Sequence, residues 1–386
     1  MQHVLQEALD YSVAMTRQNM ATMTDFPERC EGDSWLCMNQ KLDPPARNHW
    51  IDGFWVGLLW LTHAHTDDPA IATAAREWSE QLAWLCTSTD THDLGFIFYL
   101  SHVLGGRITG DHALFDNAIQ AAETHIKRYN PYGEYLQAWG AIDGPAHDRG
   151  RTNIDLMMNL ALLFWCSVHT GDSRYARIAE HHARTSRFVL VRPDDSTVHV
   201  ADFDPETGAF LQHATHQGLS AASCWSRGHA WGVYGFTEAY QYTGNPSFLA
   251  VAQRLAHYAM RHAPPDLVPF WDYDSPDIPN TFRDTSAAAA MAAGLLELAT
   301  CESDEDARKR WHDYAEALLL ALWQNYSTRD SAMPAILCQG SRSVPHGMAN
   351  HGLIYGDYYF MQALTKLLRA DLAGRAFSPP VSPRVM

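Results

Sequence analysis

Basic residues are scarce in this chain: 28 Lys and Arg stand against 44 Asp and Glu, for a net charge of -16 over 386 residues. A field of that sign repels phosphate backbones and anionic lipid surfaces, which excludes nucleic acid and membrane as general partners. Nowhere do enough apolar residues run together to span a bilayer, and Met1 to Met20 has no continuous apolar stretch, so we read no membrane span and no signal peptide. The 7 cysteines (30, 37, 86, 166, 224, 301 and 338) form no Cys-x-x-Cys pair, as expected of reduced thiols in a cytoplasm. A Gly-x-Ser-x-Gly elbow and a His-Glu-x-x-His motif are both missing, which removes the usual serine-nucleophile and zinc-hydrolase readings. Histidines number 21, yet His213-x-x-His216, His63-x-His65 and His181-His182 have no carboxylate at ligand spacing. We read them as hydrogen-bonding or solvated residues, with no metal and no cofactor.

What the sequence does have is apolar content, 46% of it, and a degenerate repeat. Thr66-Asp67-Asp68, Thr109-Gly110-Asp111, Thr170-Gly171-Asp172 and Thr243-Gly244-Asn245 each end one apolar helical pattern and open another. Gly suits the left-handed residue that closes a helix, and Asp or Asn accepts the free N–H groups of the next one. Glu302-Ser303-Asp304 marks a further hairpin of the same kind. The helices predicted are 2–23, 50–66, 68–88, 94–105, 111–129, 154–170, 173–191, 227–242, 246–263, 283–300, 304–327 and 353–373. Pairing the first helix with the last closes a ring of hairpins, an all-α (α/α)6 toroid in which residues 1–386 form a single domain with a flexible C-terminal tail at 375–386.

Connections within hairpins are short, whereas 24–49, 130–153, 192–226, 264–282 and 328–352 are long and rich in Pro, Gly, His, Trp and Asp. Long loops carry function more often than short ones. All of them, and the short 89–93, precede alternate helices, so they should crowd one mouth of the toroid. Short strands are expected there, near Tyr132 to Trp139 and Thr197 to Phe203, where polar and apolar residues alternate.

The stretch Arg151-Thr152-Asn153-Ile154-Asp155 puts a carboxylate where the long apolar run from Leu160 to Thr170 is about to begin, and His92-Asp93 stands in a matching place before Phe96 to Leu104. Either aspartate could be a plain helix N-cap. Two of them at one mouth, with Trp50, Trp225, Arg227 and Trp231 at other helix starts, form a vocabulary suited to sugars. Carboxylates transfer protons, Trp faces stack on pyranose C–H surfaces, and Arg grips a carboxylate with a two-pronged hydrogen bond.

The segments His49-Trp50-Ile51-Asp52-Gly53-Phe54-Trp55, His92-Asp93-Leu94-Gly95-Phe96, Asn153-Ile154-Asp155, Cys224-Trp225-Ser226-Arg227-Gly228-His229-Ala230-Trp231-Gly232 and Tyr355-Gly356-Asp357-Tyr358-Tyr359 together resemble the unsaturated glucuronyl hydrolases, family 88 of the glycoside hydrolases. The resemblance implies the toroid, no cofactor, and removal of a 4,5-unsaturated uronic acid from the non-reducing end of di- to tetrasaccharides left by polysaccharide lyases. A cytoplasmic monomer or homodimer is expected. By that pattern the key carboxylates fall on Asp155 and Asp93, and substrate contacts on Trp50, His92, Trp139, His199, Gln217, Trp225, Arg227 and Trp231. Arg227 would hold the uronate carboxylate, and Trp225 or Trp231 would stack on a ring. Pro345 to Gly352 departs from the Ser-containing segment that some members turn toward a sulfated neighbouring sugar. Unsaturated rhamnogalacturonyl hydrolases, sugar 2-epimerases and a non-catalytic carbohydrate-binding toroid are the alternatives; the last would have no need of Asp93 and Asp155.

Overall fold

The computed structural model describes residues 2–37 and 49–378. Helices follow one another as α1 (Gln2–Met20), α2 (Asp52–Thr66), α3 (Pro69–Leu82), α4 (Leu94–Phe98), α5 (Leu104–Thr109), α6 (Ala113–His125), α7 (Ala146–Arg149), α8 (Leu156–Thr170), α9 (Ser173–Val189), α10 (Ser226–Thr243), α11 (Pro246–Arg261), α12 (Thr285–Cys301), α13 (Glu305–Tyr326), α14 (Ile354–Leu368) and α15 (Ala370–Phe377). A π-helical turn, Tyr99–Val103, joins α4 to α5 as one rod.

Contacts between elements close a ring: α2 packs on α4, α4 on α8, α8 on α10, α10 on α12, α12 on α14, and α14 back on α2. An outer layer is laid on it, with α1 against α14 and α2, α3 against α2, α9 against α8, α11 against α10 and α13 against α12. Side-chain chemistry sorts the layers. Every residue of α8 from Leu156 to Cys166 is buried, and so is every residue of α12 from Thr285 to Ala299, because both faces of an inner helix meet protein. In the outer α11 the buried side chains are Phe248, Val251, Ala252, Leu255, Ala256, Tyr258 and Ala259, the spacing of a one-sided stripe. This is the (α/α)6 toroid expected from the hairpin count.

The turns at one end work as the sequence suggests. Gly171, at φ 77°, closes α8 by donating its N–H to Ser167 O, and Asp172 then accepts the N–H of Arg174 to open α9. Asp68, Asn245 and Asp304 accept first-turn N–H groups of α3, α11 and α13 in the same way. In the Thr66-Asp67-Asp68 turn, Asp67 takes the left-handed position at φ 54° that Gly fills elsewhere.

At the other end the strands are more numerous than expected. β1 (Pro27–Glu31) and β2 (Ser34–Cys37) pair with β8 (Gly352–Leu353), tying two long loops together where the sequence reads as irregular. The hairpin β3 (Tyr129–Asn130) and β4 (Tyr135–Leu136) falls in the stretch expected to be extended, but its strands are short and flank a turn. β5 (Arg151–Asn153), β6 (Val200–Phe203) and β7 (Phe210–Ala214) form a third sheet. Boundaries shift where a helix tightens or breaks: 68–88 ends in a 3-10 turn at Ala83–Thr87, 94–105 runs on to Thr109, and 353–373 is interrupted at Arg369. The expected tail at 375–386 begins inside α15, and its residues 379–386 lie outside the described ones.

Candidate active site

A cavity of about 220 Å³ sinks into the mouth that carries the long loops. Its walls include Trp50, His92, Asp93, Trp139, Asp155, Gln217, Trp225, Arg227 and Trp231, so nine of the ten residues singled out from the sequence meet there. The tenth, His199, stands directly behind Asp155, with Nε2 3.9 Å from its Oδ1. A larger groove of about 770 Å³ runs beside α1 and β1–β2, but its buried Glu28 is already paired with Arg29 and Arg342. We therefore place the chemistry in the smaller cavity.

Local structure explains how the carboxylates arrive. Each residue stands at the N-cap of an inner helix, Asp93 before α4 and Asp155 before α8, yet neither side chain makes a cap hydrogen bond. For α8 that task falls to Asn153, whose Oδ1 accepts from Leu156 N at 3.2 Å. For α4 it falls to Asn159, whose Oδ1 accepts from Phe96 N at 2.9 Å while its Nδ2 donates to Asp93 Oδ1 at 3.2 Å. Gly95 allows the two helix starts to touch: a Cβ there would lie 2.4 Å from Asn159 Cα. Any side chain at Gly95 would push α4 off α8 and part the two aspartates.

His92 Nε2 lies 3.5 Å from Asp93 Oδ1 and 3.3 Å from Asn153 Nδ2, and that amide in turn reaches Asp155 Oδ2 at 3.4 Å. The third sheet delivers the other flank. β5 leads straight into Asp155, and Ile154 N donates to His199 O. His216 N and Gln217 N both donate to His199 Nδ1 at 3.1 Å, which fixes that ring nitrogen as an acceptor and leaves the proton on Nε2, facing Asp155. Burial holds His199 and His92 well below the usual histidine range, so both are neutral.

Burial has the opposite sign for the carboxyl groups. Desolvation pushes Asp93 up to about 7, against the pull of the Asn159 hydrogen bond and the Arg128 charge. Desolvation, and then the negative charge of Asp93, push Asp155 up to about 7, with Arg227 pulling the other way. Burial thus favours the acid form of both carboxyls, the form that a site needs in order to give a proton.

Geometry adds to two expectations about binding. Arg227 is 1% exposed, and its Nη1 donates to Asp284 Oδ2 and Ser341 O while Nη2 donates to Arg342 O, each at 2.6 Å. Those bonds pin the 341–342 segment while the guanidinium stays on the cavity wall. Trp225 and Trp231 are 3% and 1% exposed, and the Trp225 ring is already covered by Arg227 and His199. The aromatic walls with surface to give are the half-buried Trp50 and Trp139.

The paired histidines turn to separate partners: His63 to Asp68 O and His65 to Thr365, His181 to Tyr129 and His182 to Leu136 N, His213 to Val189 O and His216 to the rings of Trp139 and His346. Among the described residues no three His, Cys, Asp or Glu side chains converge as metal ligands.

Two relatives match this chain over most of its length. The unsaturated glucuronyl hydrolase of Bacillus sp. (strain GL1) is 37% identical over 374 residues, 94% of this chain and 97% of that protein. The unsaturated chondroitin disaccharide hydrolase of Streptococcus pyogenes serotype M1 is 32% identical over 95% of this chain and 92% of its own length. The chain belongs to the unsaturated glucuronyl hydrolase family. It is a glycosidase of the 4,5-unsaturated uronyl type. The crystal structure of the Bacillus sp. GL1 hydrolase, responsible for the degradation of glycosaminoglycan, superposes with a TM-score of 0.89 at 34% identity, covering 97% of this chain and 99% of that one. No protein-family model matches the chain.

His346 and Met348, within the Pro345 to Gly352 segment, also line the cavity, and sequence reasoning missed Arg342 and Ser343 just before them in the 328–352 loop. The signal was there. In a chain of net charge -16, a Ser-Arg-Ser run inside a long loop is a place to look for an anion contact.

Proposed function

We propose that this enzyme removes the unsaturated uronic acid by hydrating its C4=C5 vinyl ether, with Asp155 as acid and then base and Asp93 as the residue that tunes it. The observation that carries this reading is a pair of buried, uncapped aspartates, both raised to about 7, in a cavity the size of roughly one sugar ring.

Asp155 donates its proton to C4, and the π electrons of the C4=C5 bond form the new C4–H bond. Positive charge then rests on C5 and the ring oxygen. Water adds its oxygen to C5 and returns a proton to the Asp155 carboxylate, so the net change is addition of one water. The resulting hemiketal opens to a C5 ketone, and the freed hemiacetal at C1 expels the neighbouring sugar. Nothing is displaced at the anomeric carbon by the enzyme, in contrast to the ordinary two-carboxylate scheme.

Trp50 and Trp139 would flank the ring, Gln217 and His92 would contact its hydroxyls, and Arg227 would meet its carboxylate. The 1–386 chain is read as one catalytic domain, and its seven free thiols support a reducing, cytoplasmic setting. Among the described residues no helix is long and apolar enough to cross a membrane.

Hydrolysis of an unsaturated disaccharide in labelled water tests the mechanism. The product should carry deuterium at C4 from heavy water and the labelled oxygen at C5, with loss of the enoate ultraviolet absorbance. Labelled oxygen at the anomeric carbon would overturn it. Chelators should leave the rate unchanged; a loss restored by added metal would show that the histidine reading is wrong.

A further inference from the structure

Behind the cavity wall lies a cation that the reaction scheme does not use. Arg128, at the end of the 3-10 turn that follows α6, is 3% exposed. Its donors all go to main-chain oxygens: Nη1 to Thr89 O at 2.6 Å, Nε to Gln137 O at 2.8 Å, and Nη2 to Ala138, Trp139 and Gly140 O at 2.8 Å each. Arg128 has no salt bridge among the described residues. A guanidinium buried without a carboxylate against it is uncommon, since carbonyl dipoles satisfy its hydrogens but leave its charge unbalanced.

The groups facing it say where that charge is felt. From the 89–93 loop Asp90 and Asp93 act on it, and it acts in turn on His92 and on His125 of α6, both of which also neighbour His182 of α9. Burial keeps the three histidines neutral, with the Arg128 charge adding to this for His92 and His125. Asp90 is exposed, so water screens it, whereas Asp93 is buried and shares the low-dielectric interior with Arg128.

We propose that Arg128 is a positioning residue of this site: its carbonyl cradle fixes the Trp139 wall and the loop carrying His92 and Asp93, and its charge makes Asp93 the ionised member of the Asp93–Asp155 pair. The division of labour between the carboxylates then has a structural cause. At Asp155 the negative charge of Asp93 outweighs the pull of Arg227 and keeps the proton in place, while Asp93 meets Arg128 and gives its proton up. The inference rests on the acid-base reading of the two aspartates.

Arg128→Met removes the charge, and Arg128→Lys keeps the charge but cannot hold so many carbonyls. The first readout is a carboxyl carbon NMR titration of Asp93 in folded, substrate-free protein, which is independent of turnover. Asp93 should titrate about one pH unit higher in Arg128→Met and within about 0.3 units of wild type in Arg128→Lys. The second readout is the pH profile of kcat/KM on an unsaturated disaccharide. Its acid limb should move up with Arg128→Met, while Arg128→Lys should raise KM roughly tenfold as the Trp139 wall loosens, leaving the limb in place. An unmoved Asp93 titration in Arg128→Met overturns the proposal. If Arg128→Met fails to fold, Arg128→Lys decides alone: an unchanged KM, or an acid limb that moves, overturns it. Wild-type protein that leaves the disaccharide intact would instead sink the functional reading, with the titration still deciding the role of Arg128.

Discussion

The two ends of this barrel use the same residue in the same backbone position for opposite purposes. At the end with short turns, Asp68, Asp172 and Asp304 stand at helix N-caps and accept first-turn N–H groups. At the end with long loops, Asp93 and Asp155 also stand at N-caps, and neither accepts one. The difference is made by neighbours: Asn153 and Asn159 satisfy those helix starts and release the carboxylates into the cavity. Asp284 does both jobs at the active end, accepting Ser286 N at 3.1 Å while its other oxygen holds Arg227 at 2.6 Å. A carboxylate at a helix start is thus available for chemistry when another side chain caps in its place.

The comparison breaks first at Asp155. Asp155→Asn should lower kcat by about 10³-fold or more while the substrate still binds, because a general acid is lost and the shape is kept. The same change should raise stability at alkaline pH. A carboxyl raised to about 7 in the folded state favours folding below its unfolded value near 4, and that contribution is lost as pH rises through 7. Asp155→Asn should therefore melt roughly 2–5 °C above wild type at pH 8, with the gain gone near pH 4. A lower melting temperature at pH 8 would mean that the carboxylate is a structural cap after all.

Asp93→Asn comes next, with kcat/KM down about 10²-fold. Since the Asp93 charge helps to raise Asp155, its removal should move the alkaline limb of the residual pH profile downward. An unmoved limb would separate the two aspartates. Arg227→Lys should cost about tenfold in kcat/KM, because a lysine cannot hold Asp284, Ser341 O and Arg342 O together and the 341–342 wall would drift. Unchanged kcat/KM would show that this wall needs no such anchor.

Much of this was legible in the chain. The Thr-Gly-Asp turns gave the hairpins because Gly171 and Asp172 obey local rules that need no tertiary information. Asp93 and Asp155 were legible as carboxylates before apolar runs, but their release from capping was not, since it depends on Asn159 reaching across from α8 to Phe96 N. Arg227 was legible as a site residue, but its hold on the 341–342 segment was not, because its partners Asp284, Ser341 and Arg342 lie 57, 114 and 115 residues away. Arg128 passed unnoticed for the same reason: a cradle of carbonyls has no side-chain signature.

The smallest effect is the sharpest control. Asp172 is an N-cap like Asp155, but its Oδ1 accepts Arg174 N at 2.9 Å and it lies at the far end of α8 from the cavity. Asp172→Ala removes that acceptor and the local pairing with Arg174, and the loss of a cap is worth about 1 kcal/mol. Spread over the unfolding entropy of a chain this long, that is a fall of roughly 1–2 °C in Tm. The pH profile of kcat/KM should be superimposable on wild type, since the affected turn touches none of the cavity wall. Calorimetry and kinetics on Asp172→Ala and Asp155→Asn side by side thus separate the two uses of an N-cap aspartate. One variant should lose stability and keep activity, and the other should lose activity and, above neutral pH, gain stability. If Asp172→Ala changed the pH profile as well, the short-turn end would be coupled to the site through α8, and the division between the ends would fail.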